Sequence, residues 1–182
     1  MSEIELIAAG FGGQGIMVIG EIIAASAVQE NKFATFLPSY GPAMRGGTAN
    51  CIVVVSDSEI GSPVLSEHKN AIIMNIPSFE KFEPTLIKGG NILVNSSLIN
   101  NKSKRTDINA YYIPANDIAN QAGANVAANI VMLGSFLKVT NFASYDTVCS
   151  MVKERFKTKG EKIVIINLKA LELGYNYIWS LK

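Results

Sequence analysis

The sequence predicts an α/β fold, with three α/β/α layers around a mostly parallel sheet. Three observations carry this. Short apolar runs rich in strand formers alternate with longer stretches of helical periodicity. The first run passes through a glycine turn directly into a helix, and two later runs are apolar almost without interruption, as strands covered on both faces are. One domain over residues 1–182 is expected, because 182 residues suffice for one ordinary core and not for two large ones.

Residues 4–9 read as the opening strand, ending in Gly10-Phe11-Gly12-Gly13-Gln14-Gly15. Over residues 16–29, Ile16, Val18, Ile19, Ile22, Ile23 and Ala27 recur at helical spacing without a proline, and Asn31 follows as a stop. This is a Rossmann-like β-turn-α opening. A second strand over residues 33–37 is expected to break at Pro38, and the glycines and prolines of residues 39–47 predict a structured loop. Residues 49–56 and 70–75 suit interior strands. Residues 77–86 form a short helix with proline at its start, and Gly89-Gly90 lead into a strand over residues 91–95. A polar, basic loop spans residues 100–107, and a strand over residues 110–113 is closed by Pro114. Helices are expected over residues 126–138, 144–157 and 162–180, with no repeat, low-complexity tract or linker.

Residues are 48% hydrophobic and only 17% charged, against about a quarter charged in ordinary soluble domains. An unusually uncharged surface points to coverage by partners. With 16 Lys and Arg against 15 Asp and Glu, the net charge of +1 gives no electrostatic case for nucleic acid or an anionic membrane. No apolar stretch approaches the roughly 20 residues that cross a bilayer. The opening segment carries Glu3 and Glu5 where a signal peptide needs basic residues, so cytoplasmic residence is expected. Cys51 and Cys149 are far apart in apolar segments, which argues for buried, reduced thiols rather than a disulfide framework or metal pair.

Gly10, Gly12 and Gly15 match G-x-G-x-x-G after a strand and before a helix, where helix N–H groups offer an anion site. The acidic residue that would bind a ribose at the end of the second strand is missing, which weakens a nicotinamide reading. Tight helix-to-strand packing explains the glycines equally well. Gln14, an amide among four glycines (Gly10, Gly12, Gly13 and Gly15), is expected to face whatever approaches the turn. In a parallel sheet the loop carrying Ser39, Tyr40, Gly41, Arg45, Gly46 and Gly47 lies at the same carboxyl edge. Arg45 there suits either a carboxylate or phosphate, or contact with a neighbouring chain.

Gly10-Phe11-Gly12-Gly13-Gln14-Gly15, the run from Ser39 through Cys51, Ser62-Pro63, Asn75, Gly89-Gly90, Asn95-Ser96-Ser97 and the helical segment at residues 125–134 together resemble the gamma subunit of 2-oxoacid:ferredoxin oxidoreductases, over nearly the whole chain. Thr48-Ala49-Asn50-Cys51 is most similar to the 2-oxoglutarate type, with pyruvate and branched-chain 2-oxoacids as alternative substrates. Ala43 and Asn70 depart from the pattern, where Glu and Asp are common. The resemblance implies an enzyme that decarboxylates a 2-oxoacid oxidatively, reduces ferredoxin and forms an acyl-coenzyme A, succinyl-CoA for 2-oxoglutarate. It also implies alpha, beta and ferredoxin-like delta companions. Thiamine diphosphate, Mg2+ and iron-sulfur clusters belong to those companions. Two cysteines cannot supply the four ligands of a [4Fe-4S] cluster, and no thiamine-diphosphate motif occurs. No catalytic or metal-binding residue is expected in this chain. The glycine turn and the Tyr40–Gly47 segment are expected to form one rim facing a partner or coenzyme A.

His68 lies in a polar stretch and is expected to be an exposed loop residue. Asn95-Ser96-Ser97 reads as a turn cap, Lys102, Lys104 and Arg105 as a solvated basic loop, and Tyr175, Tyr177 and Trp179 as packing residues. Two other readings stay open: a free-standing Rossmann-like protein that binds a nucleotide or phosphate, and a purely structural subunit.

Overall fold

The computed structural model describes residues 3–41, 47–62 and 64–178. Strands β1 (Ile4–Phe11), β2 (Phe33–Tyr40), β3 (Thr48–Ser56), β4 (His68–Ile73), β5 (Leu86–Asn95) and β6 (Asn109–Ile113) form one sheet in the order β2-β3-β1-β4-β5-β6. Helices α1 (Ile16–Gln29), α2 (Ile76–Phe82), α3 (Ala115–Ala122), α4 (Ala128–Thr140), α5 (Tyr145–Phe156) and α6 (Glu161–Tyr177) pack around it. Pairs β1–β4, β4–β5 and β5–β6 are parallel, whereas β3 runs antiparallel between β1 and β2. The expected mostly parallel α/β sheet is therefore present. Its layers are unequal.

Side-chain alternation explains the layers. Leu6 and Ala8 of β1, Val53 and Val55 of β3 and Leu93 of β5 face a core shared with α1, α3, α4, α5 and α6. The other parity, Ile7 and Ala9 of β1 with Ile73 of β4 and Val94 of β5, meets Phe79 and Phe82 of the short helix α2. Helices α1 and α2 thus lie on opposite faces, which makes the gap between β1 and β4 the point where the chain switches sides. Ligand crevices of such sheets open at this point.

Several boundaries differ from expectation for identifiable reasons. The second strand runs through Pro38 to Tyr40, so Ser39 and Tyr40 are strand residues. Gly41 N–H donates to the Thr48 carbonyl at 2.8 Å, and the two-residue alternation from that pair turns the Pro38 nitrogen away from β3, toward the open edge of the sheet. Proline removes no ladder bond there. Helix α3 was not expected, because Pro114 read only as the end of a strand; it also stands at the N-cap of α3. Residues Asn125–Ala127 form a 3-10 turn before α4, so that helix starts two residues later than expected. Leu86 and Gly89-Gly90 belong to β5, with a register irregularity between His68 and Asn70 of β4. The last helix is described to Ile178 at its C-cap; Trp179 lies outside the described residues.

Candidate functional site

The carboxyl ends of β1, β2 and β4 meet at one edge, and the glycine turn sits in its middle. The expected closeness of the two loops is present in part: Gly12 N–H donates to the Gly47 carbonyl at 2.9 Å, and Tyr40 faces the first turn of α1 across a groove of about 260 Å³. Arg45 and Gly46 lie outside the described residues.

Packing accounts for two of the glycines. Gly15 has φ 75°, and a Cβ there would lie 2.3 Å from Nδ2 of Asn129 on α4, whose amide donates to the Gly15 carbonyl at 3.2 Å. A Cβ on Gly10 would lie 2.7 Å from Gln14 Oε1 and 2.9 Å from Met74 Cβ. Gly15 also serves as the N-cap of α1 without a side-chain hydrogen bond, and the first-turn residues Ile16, Met17 and Val18 line the 260 Å³ groove.

Gln14 does something other than expected. Its Oε1 accepts from the Phe11 N–H at 2.6 Å, and its Nε2 donates to the Met74 carbonyl at 3.0 Å. Both functions of the amide are used inside the chain, so Gln14 braces the ends of β1 and β4 while it also lines the clefts beside the turn. Met74 N–H donates to the Ala9 carbonyl at 2.9 Å, which closes the same seam.

Asparagines that the sequence reading did not assign to the site line the remaining edge. Asn75 Oδ1 caps α2 by accepting from Ser78 N–H at 2.9 Å, while its buried Nδ2 has no partner. Asn95 accepts from Ser97 N–H at 3.3 Å, the expected turn cap, and donates to Asn116 at 2.8 Å. Asn116 in turn donates to Asn125. A cleft of about 170 Å³ opens between Gln14, Asn116, Asn125 and Val126, and a larger groove of about 420 Å³ opens between Phe11, Asn75, Ile76 and Leu98. A signal was available in the sequence, for Asn75 and Asn95 each follow an apolar strand run at its carboxyl end.

Other expected features move. His68 is only 4% exposed, on β4 with Phe82 edge-on at 6.2 Å, and burial pushes its pKa below the usual value. It is a strand residue because its backbone starts the β4–β5 pairing opposite Leu86. Arg105 is anchored, not solvated: its guanidinium pairs with Asp107 at 2.7 Å and donates to the Leu86 carbonyl at 2.8 Å, while Lys102 sits 3.5 Å over the Tyr112 ring. Tyr175 packs edge-on against Tyr145, as a packing residue should. Cys51 is buried with its thiol pushed up to about 12, chiefly by burial, whereas Cys149 on α5 is half-buried. Such thiols do not fit an iron-sulfur cluster. Among the described residues no group of three or more His, Cys, Asp or Glu could hold a metal ion, and no helix is long and apolar enough to cross a membrane.

The dinucleotide reading loses ground on topology as well. In that fold the second strand lies beside the first, but here β3 lies between them, and β2 ends in Ser39 and Tyr40, not an acid.

The family model for pyruvate ferredoxin/flavodoxin oxidoreductase matches residues 5–177. The chain belongs to this family. It is 35% identical over 176 residues to the ketoisovalerate oxidoreductase subunit VorA of Methanothermobacter marburgensis, which covers 96% of this chain but only 36% of that protein. The chain thus spans little more than a third of that relative. It is 33% identical to the 2-oxoglutarate synthase subunit KorC of Methanocaldococcus jannaschii, covering 94% of this chain and 91% of that one. Among solved structures, the gamma subunit of a keto/oxoacid ferredoxin oxidoreductase from Geobacter sulfurreducens superposes with TM-score 0.83 at 28% identity, covering 97% of this chain and 99% of that chain. A 2-oxoglutarate:ferredoxin oxidoreductase from Magnetococcus marinus, with 2-oxoglutarate, coenzyme A and succinyl-CoA bound, shares the fold at TM-score 0.92 and 21% identity; it covers all of this chain and 32% of that one.

Proposed function

We propose that this chain is the gamma-type subunit of a 2-oxoacid:ferredoxin oxidoreductase that acts on 2-oxoglutarate and forms succinyl-CoA. The observation that carries this reading is the end-to-end correspondence with the KorC chain, at 33% identity over 91% of that protein. A branched-chain 2-oxoacid is the second reading, favoured by the 35% identity with VorA.

In this proposal the chain supplies binding and closure, not chemistry. Thiamine diphosphate with Mg2+ and the iron-sulfur clusters, held by companion alpha, beta and delta subunits, supply the decarboxylation and the electron path to ferredoxin. The rim of Gly10, Gly12, Gly13, Gln14 and Gly15 with Ser39, Tyr40, Gly41, Arg45, Gly46 and Gly47 faces a companion subunit and the coenzyme A that enters between them. The α1 N-terminus beside Tyr40 offers N–H donors to an anionic group of coenzyme A, with Gln14 holding the turn in place.

The test is to co-express the tagged chain with its companion subunits and measure coenzyme A-dependent ferredoxin reduction with 2-oxoglutarate, 2-oxoisovalerate and pyruvate. The proposal expects the highest kcat/KM with 2-oxoglutarate and no turnover by the chain alone. A preference for 2-oxoisovalerate selects the second reading. Tight nicotinamide binding by the chain alone would sink both.

A further inference from the structure

A groove of about 430 Å³ lies between α5 and α6. The two helices are joined through the 3-10 turn Lys157–Lys159 and fold back as an antiparallel hairpin, whose register is fixed by the Tyr145 and Tyr175 rings at 4.9 Å. Asp146, Cys149 and Lys153 of α5 line one wall at spacings of three and four residues, and Ile165, Lys169 and Glu172 of α6 line the other at four and three. The register puts both acids at one end: Asp146 follows Tyr145, and Glu172 stands one turn from Tyr175. Both bases lie toward the hairpin turn, Lys153 two turns or about 10 Å beyond Asp146 and Lys169 one turn back from Glu172. Cys149 stands between them and feels both signs: burial raises its pKa, a hydrogen bond from Tyr145 lowers it, Asp146 and Glu172 raise it and Lys153 lowers it.

Half of the residues that line this groove are charged, against 17% of the chain. All four charged side chains are exposed, and none of them joins an ion pair among the described residues. Ile165 beside them is 57% exposed, with Leu168 half-buried. A partner surface of one sign would be repelled at one end of such a groove. A face that is acidic at one end and basic at the other is complementary to itself after a half turn. We infer that this face docks a second copy of the chain about a twofold axis near Cys149, with Asp146 and Glu172 of each copy against Lys153 and Lys169 of the other and Ile165 covered between them. The inference is independent of the proposed function. Helix α5 begins where Ser144 N–H donates to Glu30 at the C-cap of α1, at 2.6 Å, so the acidic end of the groove lies at the opposite end of α1 from the glycine turn, which stays clear for other partners.

The test is sedimentation velocity of the full chain over a concentration series at low salt, where exposed charges act most strongly. The wild-type chain is expected to show a monomer–dimer equilibrium that salt weakens. Asp146→Lys with Glu172→Lys makes the groove wholly basic, and Lys153→Glu with Lys169→Glu makes it wholly acidic. Each double variant alone should self-associate about tenfold more weakly or worse, whereas an equimolar mixture of the two, in which a basic groove meets an acidic one, should associate within about threefold of wild type. A fold defect cannot give that rescue. A bismaleimide should also link Cys149 of one copy to Cys149 of the other in the wild type and in neither variant alone. A wild-type chain that is monomeric at every concentration overturns the inference, as do variants that dimerise like wild type or a mixture that stays monomeric. A monomeric wild type whose companion subunits are lost in either variant also overturns it, and gives the groove to a companion. Because the readout on the chain alone needs no companion, its failure is distinct from failure of the proposed function.

Discussion

Gln14→Ala separates a structural brace from a ligand-facing amide. Two hydrogen bonds disappear, from Phe11 N–H to Oε1 at 2.6 Å and from Nε2 to the Met74 carbonyl at 3.0 Å. Their consequences differ. Phe11 is exposed and its N–H can turn to water, so that loss is worth about 0.5–1.5 kcal/mol. Met74 is 2% exposed, so its carbonyl loses a donor in a place water reaches poorly, at about 1–3 kcal/mol. Together these amount to about 1.5–4.5 kcal/mol. At about 2–4 °C per kcal/mol for a chain of this length, the melting temperature should fall by roughly 3–18 °C. Calorimetry on the full chain reads this directly, and hydrogen exchange at the Phe11 and Gly12 amides should quicken at least tenfold. Gln29→Ala, at the exposed end of α1, is the matched control and should melt within about 1 °C of wild type. If Gln14→Ala melts as wild type does and the Phe11 amide exchanges no faster, the brace is refuted.

Three further outcomes are expected. Gly134→Ala should destabilise by about 1–3 kcal/mol or more, since a Cβ there would lie 2.1 Å from the Leu171 carbonyl oxygen of α6, backbone that can yield only if the two helices part; thermal melts of the variant check this. His68, whose burial holds its folded pKa below 6.5, stabilises the fold only while neutral: that contribution is complete above about pH 6.5 and is lost as pH falls from there through the folded pKa. Urea melts of His68→Phe between pH 7.5 and 5 should therefore show a flatter acid limb than wild type. A thiol-reactive disulfide reagent at pH 8 should modify Cys149 alone in the native chain, with Cys51, at about 12, reached only after denaturant is added; rapid labelling of two thiols would refute the burial of β3.

The β-turn-α opening was legible because it is local: strand formers, glycines and a helical repeat lie next to each other in the chain. The position of β3 was not. Nothing in the apolar run of residues 49–56 says whether it pairs parallel or antiparallel, and the antiparallel choice follows from the short loop joining β2 to β3, which returns the chain without a crossover. His68 was misplaced for a related reason. Its sequence neighbours Ser66, Glu67 and Lys69 are polar, but alternation along a strand sends adjacent residues to opposite sides, so one position in a polar stretch can be buried beside Phe82. At the candidate site the glycines and Tyr40 were visible as unusual residues in a meaningful order. The partners of Gln14 were not, since Met74 lies 60 residues away and contributes only a carbonyl.

The glycine pattern therefore has less meaning by itself than the edge on which it sits. Gly10 and Gly15 are held small by Gln14, Met74 and Asn129, contacts that any close-packed turn of this kind requires whether or not a ligand exists. What those contacts leave over is more informative: a groove between the first turn of α1 and Tyr40, and an apolar groove walled by Ile76 and Leu98, with Phe11 lining both. The two are chemically unlike. One is a partly positive backbone site suited to an anion, the other an uncharged pocket suited to packed polypeptide. Phe11 lines both grooves and Tyr40 only the first, so on the proposed role Phe11→Ala and Tyr40→Ala should each raise the KM for coenzyme A, and a KM unchanged in both would remove the first groove from co-substrate binding.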